Sequence, residues 1–218
     1  MPPTAKPPLR RDAQRNRDRI LAATRAAFQE RGLDVGVDEI ARRAGVGMGT
    51  LYRHFPTKDA LVDAIVDVRF AELIEAAELA LEAPDAWEGF AAFLVAAVEL
   101  QAADRGFKDA LAARGRDEPR VKAARRKLHA VLARLVERGR AEGALRADLA
   151  PEDVTVLLWA TAGIVGRTAD IGQPRRFLAM HLDGLRPAAA TTPLPAEPLT
   201  ARQLQRGAAR DPRRRRES

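Results

Sequence analysis

Apolar residues along this chain recur at three- and four-residue intervals, and no segment sustains the period-two alternation of a strand. Ile20, Thr24 and Phe28 share a helical face, and Gly32 suits the C′ position that ends such a run. Val37, Ile40, Ala41 and Ala44 follow the i, i+3, i+4, i+7 pattern and are closed by Gly45. A short segment places Leu51 and Phe55 together before Pro56 breaks the chain. Thr57 then stands as the N-cap of a long helix through Leu61, Ile65, Val68, Leu73 and Ala80. Residues 15–82 therefore read as four helices, three of them short.

Past Pro84-Asp85, Trp87, Phe90, Leu94 and Val98 mark a further amphipathic helix. A shorter one is predicted over Phe107–Arg114. Pro119 opens a helix carrying Val121, Leu128, Val131 and Leu135, which stops near Gly143. Pro151 sits where a first helical residue is favoured, ahead of Val154, Leu157, Leu158, Thr161 and Val165. The run TVLLWAT alone fits a buried strand, but the stripe continues to Val165 and so favours a helix. Pro174 starts the last helix, with Phe177, His181 and Leu185 on one face. The pattern predicts an all-α fold of about nine helices. Residues 1–12 and 188–218, rich in Pro, Ala, Thr and Arg, bury too little to offset chain entropy and are expected to be disordered.

Composition narrows the classes. A length of 218 residues suits one large domain or two small ones. The absence of cysteine excludes a disulfide scaffold, a thiolate zinc site and a cysteine nucleophile. No apolar run approaches the roughly 18 residues of a membrane span, and the first residues lack the apolar stretch of a secretory signal. A soluble, cytoplasmic protein with no membrane partner is expected.

The net charge of +7 is unevenly placed. Residues 1–60 carry 12 Lys/Arg against 7 Asp/Glu, and residues 188–218 carry 7 against 3, which leaves the stretch between them slightly acidic. A basic first segment points to a polyanion partner, although a solvated surface in an Arg-rich chain gives the same count.

The stretch VDEIARRAGVGMGTLYRHFPTKDALVDAIV, residues 37–66, decides between them. It reads as a short helix, a glycine turn, a second short helix and a proline break, the arrangement of a helix-turn-helix whose second helix enters a DNA major groove. Winding residues 48–55 at about 100° per residue puts Leu51 and Phe55 inward and Gly49, Thr50 and Arg53 opposite, with Tyr52 and His54 flanking. Gly49 permits close approach, Thr50 suits a phosphate or a thymine methyl, and Arg53 suits guanine. Lys58, in the first turn of the next helix, opposes the macrodipole. It is well placed where it shares a phosphate with the free backbone N–H groups. With Gly47 and Met48 at the helix start, the expected DNA-facing set is Gly47, Met48, Gly49, Thr50, Tyr52, Arg53, His54 and Lys58.

GVGMGTLYRHFPTKDALVDAIV closely resembles the DNA-binding signature of the TetR/AcrR transcriptional regulators, and the helices holding DEIARRA and ILAATRAAF stand at the spacing that family uses. The resemblance is specific over about residues 15–65 and rests on helix count and lengths over 85–187. It implies a dimer whose N-terminal domains read a palindromic operator in double-stranded DNA and whose C-terminal helices bind a small inducer. It also implies contacts to phosphates or bases from Thr50, Tyr52, His54 and Lys58. Two positions depart from the pattern: Gly36 and Gly47 stand where the family commonly has Ser or Thr. Glycine still serves as an N-cap, but a phosphate contact from those hydroxyls is lost. Arg15, Arg17 and Arg19 are candidates to offset it.

The domain organisation that follows is an arm over 1–12, a three-helix DNA-binding domain over 13–60, a helical regulatory domain for ligand and dimer contacts over 61–187, and a basic tail over 188–218. Trp87, Phe90, Phe93, Phe107, Leu128, Leu132 and Trp159 are candidates to line a pocket for a small apolar or aromatic ligand, with Gln101 and His129 as polar handles. For each aromatic, plain core is the competing reading. Leu157, Thr161, Val165, Phe177 and Leu185 are the candidate homodimer face. No cofactor or metal is expected, and catalysis is disfavoured. The histidines His54, His129 and His181 lack a nucleophile or HExxH context, and Glu72, Glu75, Glu78 and Glu82 read as a solvated helix face.

Overall fold

The computed structural model describes residues 8–102, 110–111, 118–165, 172–200 and 203–204. Among these residues there are eight α-helices: α1 (Pro8–Arg31), α2 (Val37–Ala44), α3 (Met48–His54), α4 (Lys58–Glu82), α5 (Ala86–Ala102), α6 (Pro119–Ala141), α7 (Pro151–Val165) and α8 (Gly172–Gly184). Of the short helix predicted over 107–114 only Ala110 and Leu111 fall within the described residues, and both are helical. The rest of it lies outside them.

The chain divides into two compact units, and the boundary falls inside α4 after Arg69. In the first unit α1, α2, α3 and the start of α4 enclose Ile20, Phe28, Ile40, Leu51, Leu61 and Ile65, all essentially without solvent contact. Helix α1 begins well before the predicted stripe. From Arg10 to Arg19 every residue but Ala13 is polar, which leaves no periodic signal, so the stripe is readable only from Ile20 onward.

The second unit is built from the remainder of α4 with α5, α6, α7 and α8. Phe90, Phe93, Leu94, Leu132, Leu135 and Leu178 form the centre of its core. Polar residues start three of these helices. Asp85 accepts the Glu88 N–H at 2.7 Å, Glu118 accepts the Val121 N–H at 2.8 Å, and Asp153 reaches back to the Ala150 N–H at 2.9 Å. Each satisfies a donor that the first helical turn leaves open. At Gly89 a Cβ would stand 2.3 Å from the Ala80 carbonyl oxygen, so only glycine lets α5 lie this close to α4.

Candidate nucleic-acid interface

The turn between α2 and α3 is fixed by the backbone. Gly45 is left-handed at φ 61°, and its N–H bonds the Arg42 carbonyl at 3.1 Å while the Val46 N–H bonds Ala41 at 3.0 Å. This pair of bonds satisfies the open carbonyls at the end of α2. Arg19, reaching across from α1, donates to the Gly45 carbonyl at 3.2 Å. Gly47 then opens α3 from an extended conformation, its carbonyl accepting from Thr50 and Leu51 at 2.9 and 3.0 Å. Phe55 ends the helix, and Thr57 accepts the Ala60 N–H at 3.0 Å to begin α4, with Lys58 in its first turn.

Burial sorts the residues of α3. Leu51 and Phe55 face the core, and the Arg17 guanidinium covers the Phe55 ring at 4.9 Å. Met48, Gly49, Tyr52 and Arg53 are exposed, with Tyr52 at 47%. Thr50 and His54 are half-buried together on one flank, and His54 Nε2 is shut away from solvent with no hydrogen-bond partner among the described residues. The outward face is therefore centred on residues 48, 49, 52 and 53, rotated from the 49, 50 and 53 centre that helical winding alone suggests. Gly47 is exposed and Lys58 half-buried.

The cations of this unit fall into two groups. Arg43 bonds Glu30 at 2.7 Å and Glu39 at 3.0 and 2.7 Å, while Arg31 reaches Glu39 at 2.5 Å. The Arg43 hydrogen bonds, aided by the charge of Arg31 and Arg42, hold the Glu39 carboxyl below its ordinary value. These arginines join α1 to α2. Arg17 and Arg19 are likewise engaged, on Phe55 and Gly45, and Arg15 pairs with Asp12. By contrast, no ion pair among the described residues engages Arg53 or Lys58. The i, i+4 spacing of Glu39 and Arg43 was visible in the sequence. The ties from Arg17 and Arg19 left no sequence signal, because both depend on how α1 crosses the turn.

The geometry matches that of known proteins. Residues 20–65 match the family described as bacterial regulatory proteins, tetR family, and residues 84–187 match the transcriptional regulator SbtR-like C-terminal domain. A TetR transcription regulatory protein of Mycobacterium vanbaalenii, solved by crystallography, is 38% identical and superposes with a TM-score of 0.66 over 82% of this chain and 99% of that one. The chain belongs to the TetR family. A TetR regulator of Streptomyces coelicolor is 35% identical, with a TM-score of 0.62 over 79% of this chain and 99% of its own. An HTH-type transcriptional regulator of Staphylococcus aureus is 44% identical over 54 residues, which is 24% of this chain and 29% of that regulator's length. As a TetR-family member this protein is a DNA-binding transcriptional regulator, and α2, the glycine turn and α3 form its helix-turn-helix.

The residues singled out in the second unit are dispersed. Phe90, Phe93 and Leu132 lie in the packed core, with Leu128 half-buried at its edge. Trp87 is half-buried under the Arg186 guanidinium at 3.8 Å. His129 bonds Glu152 at 2.9 Å, Gln101 has a buried Oε1 with no partner among the described residues, and Trp159 is 43% exposed on α7. Phe107 lies outside the described residues. Two concavities stand elsewhere in this unit. One, about 430 Å³, lies between α4 and α5 beside Glu72, Glu75, Leu79 and Glu99; the other, about 280 Å³, lies beside α7 and α8. Of the residues named for a dimer face, Leu157 and Thr161 point inward, the Thr161 hydroxyl donating to the carbonyls of Leu157 and Leu158. Phe177 and Leu185 are half-buried, and the side chain of Val165 lies outside the described residues. The exposed stripe of α7 is Val156, Trp159, Ala160 and Gly163. Glu78 on the acidic face of α4 pairs with Arg134 at 2.9 and 3.0 Å, and no metal-binding cluster exists among the described residues. Nor is any described helix long and apolar enough to cross a membrane.

Proposed function

We propose that this TetR-family regulator is a homodimeric repressor that binds a palindromic operator and is released by a small apolar or aromatic ligand. The observation that carries the reading is α3 itself, locked from behind by Leu51 and Phe55 while Met48, Gly49, Tyr52 and Arg53 face outward. A seven-residue helix offers too few contacts to hold DNA alone. Two copies set about 34–36 Å apart would read successive major-groove faces of one site. Arg53 reads bases, with Met48 and Gly49 allowing close approach. Tyr52, Thr50, His54 and Lys58 serve the phosphates, with Gly47 at the helix start.

The exposed apolar stripe on α7 supports the dimer, because a surface of this kind marks an association site. The Gln101 oxygen, buried and without a partner among the described residues, supports a polar handle for the ligand, since a buried acceptor gains from a donor brought to it. Release then requires that the ligand bind the conformation unsuited to the operator more tightly. A reporter placed behind a duplex selected by the protein tests repression: expression of the chain silences it. Increased reporter output would overturn the repressor reading.

A further inference from the structure

Helix α3 has only seven residues, and a helix of that length does not hold itself in water. Gly47 opens it without a side-chain cap bond. Its fully buried side chains are Leu51 and, at its C-terminal cap, Phe55. These stand four residues apart and so lie on a single line along the helix. Support along one line resists lifting but not rolling. A roll about the helix axis changes which of Met48, Gly49, Tyr52 and Arg53 face outward.

Two arginines of α1 supply the missing restraint. Arg19, 26 positions before Gly45, donates to its carbonyl at 3.2 Å. That carbonyl stands at the C-terminal cap of α2, where the helix dipole favours a cation, and two residues ahead of Gly47. Arg17 lays its guanidinium over the Phe55 ring, 4.9 Å from the centroid, at the far end of α3. Residues two apart on a helix point about 200° apart, so the pair leaves α1 in two directions and brackets α3. Neither arginine enters an ion pair among the described residues, and Asp18 between them bonds Gln14 instead. The sequence offers both as phosphate contacts, whereas in the structure both guanidiniums are directed at the helix-turn-helix itself.

We propose that Arg19, seconded by Arg17, is a positioning residue for operator reading, setting the roll of α3 without touching DNA. The inference rests on the reading that α3 faces the operator. Bidentate contact with a base edge tolerates little misdirection. A released roll therefore lowers specific affinity and spares the sequence-independent attraction of the phosphates.

The test measures the full chain on its selected duplex and on a random duplex across a salt series. The proteins are the wild type, Arg19→Met, Arg19→Lys, Arg17→Met and Arg53→Ala, each with its melting temperature. Arg19→Met binds the selected duplex about tenfold more weakly, the scale of one good base contact, while the random duplex and the salt slope stay near wild type. Arg19→Lys, which still offers a cation to the Gly45 carbonyl, restores most of the specific affinity. Arg17→Met, which keeps an apolar cover on Phe55, shows the same pattern at smaller size. A salt slope lower by about one in Arg19→Met, with both duplexes weakened alike, overturns the proposal in favour of a phosphate contact. Unchanged specific affinity in Arg19→Met overturns it outright. A fallen melting temperature with both duplexes weakened together overturns it in favour of plain stabilisation. An Arg53→Ala chain that binds the selected duplex as the wild type does overturns the α3 reading and the positioning role with it.

Discussion

Helices α3 and α7 are both buried on one side and open on the other, but their open sides differ. The open side of α3 presents Gly49, Tyr52 and Arg53 beside Met48, and Lys58 follows at the start of α4. The open side of α7 presents Val156, Trp159, Ala160 and Gly163. The two have the same architecture and opposite chemistry: one face suits a polyanion read at close range, the other a second uncharged surface. The difference shows that one-sided burial only marks a helix as available, and that its outward residues decide for what. In the first unit several other arginines are tied to Glu30, Glu39, Phe55 or the Gly45 carbonyl. Several basic residues there are thus engaged within the unit, whereas Arg53 and Lys58 enter no ion pair among the described residues.

The sharpest way to break the comparison is to remove what holds α3 from behind. Leu51→Ala, at a fully buried position, costs about 2–5 kcal/mol by the usual penalty for a deleted core side chain. Thermal denaturation would show a lower melting temperature, with DNA binding lost in parallel. Gly45→Ala acts on the turn. A Cβ at φ 61° costs about 1–2 kcal/mol, and the added carbon would also displace the Arg19 guanidinium from its place 2.4 Å away. Denaturant midpoints check this, and an unchanged midpoint would mean the turn is not under steric control.

Smaller still is Lys58→Ala, which leaves the fold intact. It weakens all DNA sites alike and lowers the slope of log affinity against log salt by about one. An unchanged slope would remove Lys58 from the phosphate contacts. On the other side of the comparison, the segment 192–194, tied to Arg146 and Asp148, responds to acid. The Arg146 guanidinium, and then the Leu194 N–H, lower the Asp148 carboxyl to about 2, below its ordinary 3.8. Its contribution is therefore complete above about pH 4 and is lost as pH falls toward 2. The Leu194 amide resonance in NMR should move across that window, and a titration centred at the ordinary carboxyl value would contradict the Arg146 contact.

Much of the helical layout was legible because it depends on local rules. Gly45 as a C-terminal stop, Thr57 as an N-cap and Pro119 and Pro151 as first helical residues all operate within a turn of the chain. The inward pair Leu51 and Phe55 followed from winding alone. What escaped depends on contacts between distant parts. Thr50 and His54 are half-buried because of what packs beside α3, which a helical wheel does not contain. The aromatic residues Phe90 and Phe93 carry no sequence mark distinguishing a packed core from a cavity wall. Residues 188–200 read as disordered from composition because Arg146 and Asp148, which hold Thr192 and Leu194, lie 46 positions earlier, where nothing in the local sequence announces a partner.

The central claim is that the outward face of α3 reads bases, once per subunit, and selection of bound duplexes from a random pool by the wild type and by Arg53→Ala tests it directly. At about 0.15 M salt the wild type should enrich a two-fold palindrome with half-sites about one helical turn apart. Arg53→Ala should lose the preference at one symmetry-related base pair in both half-sites, a discrimination of about 1–3 kcal/mol, while the remaining positions persist. Enrichment of no sequence by the wild type, or an unchanged motif in Arg53→Ala, would contradict the account.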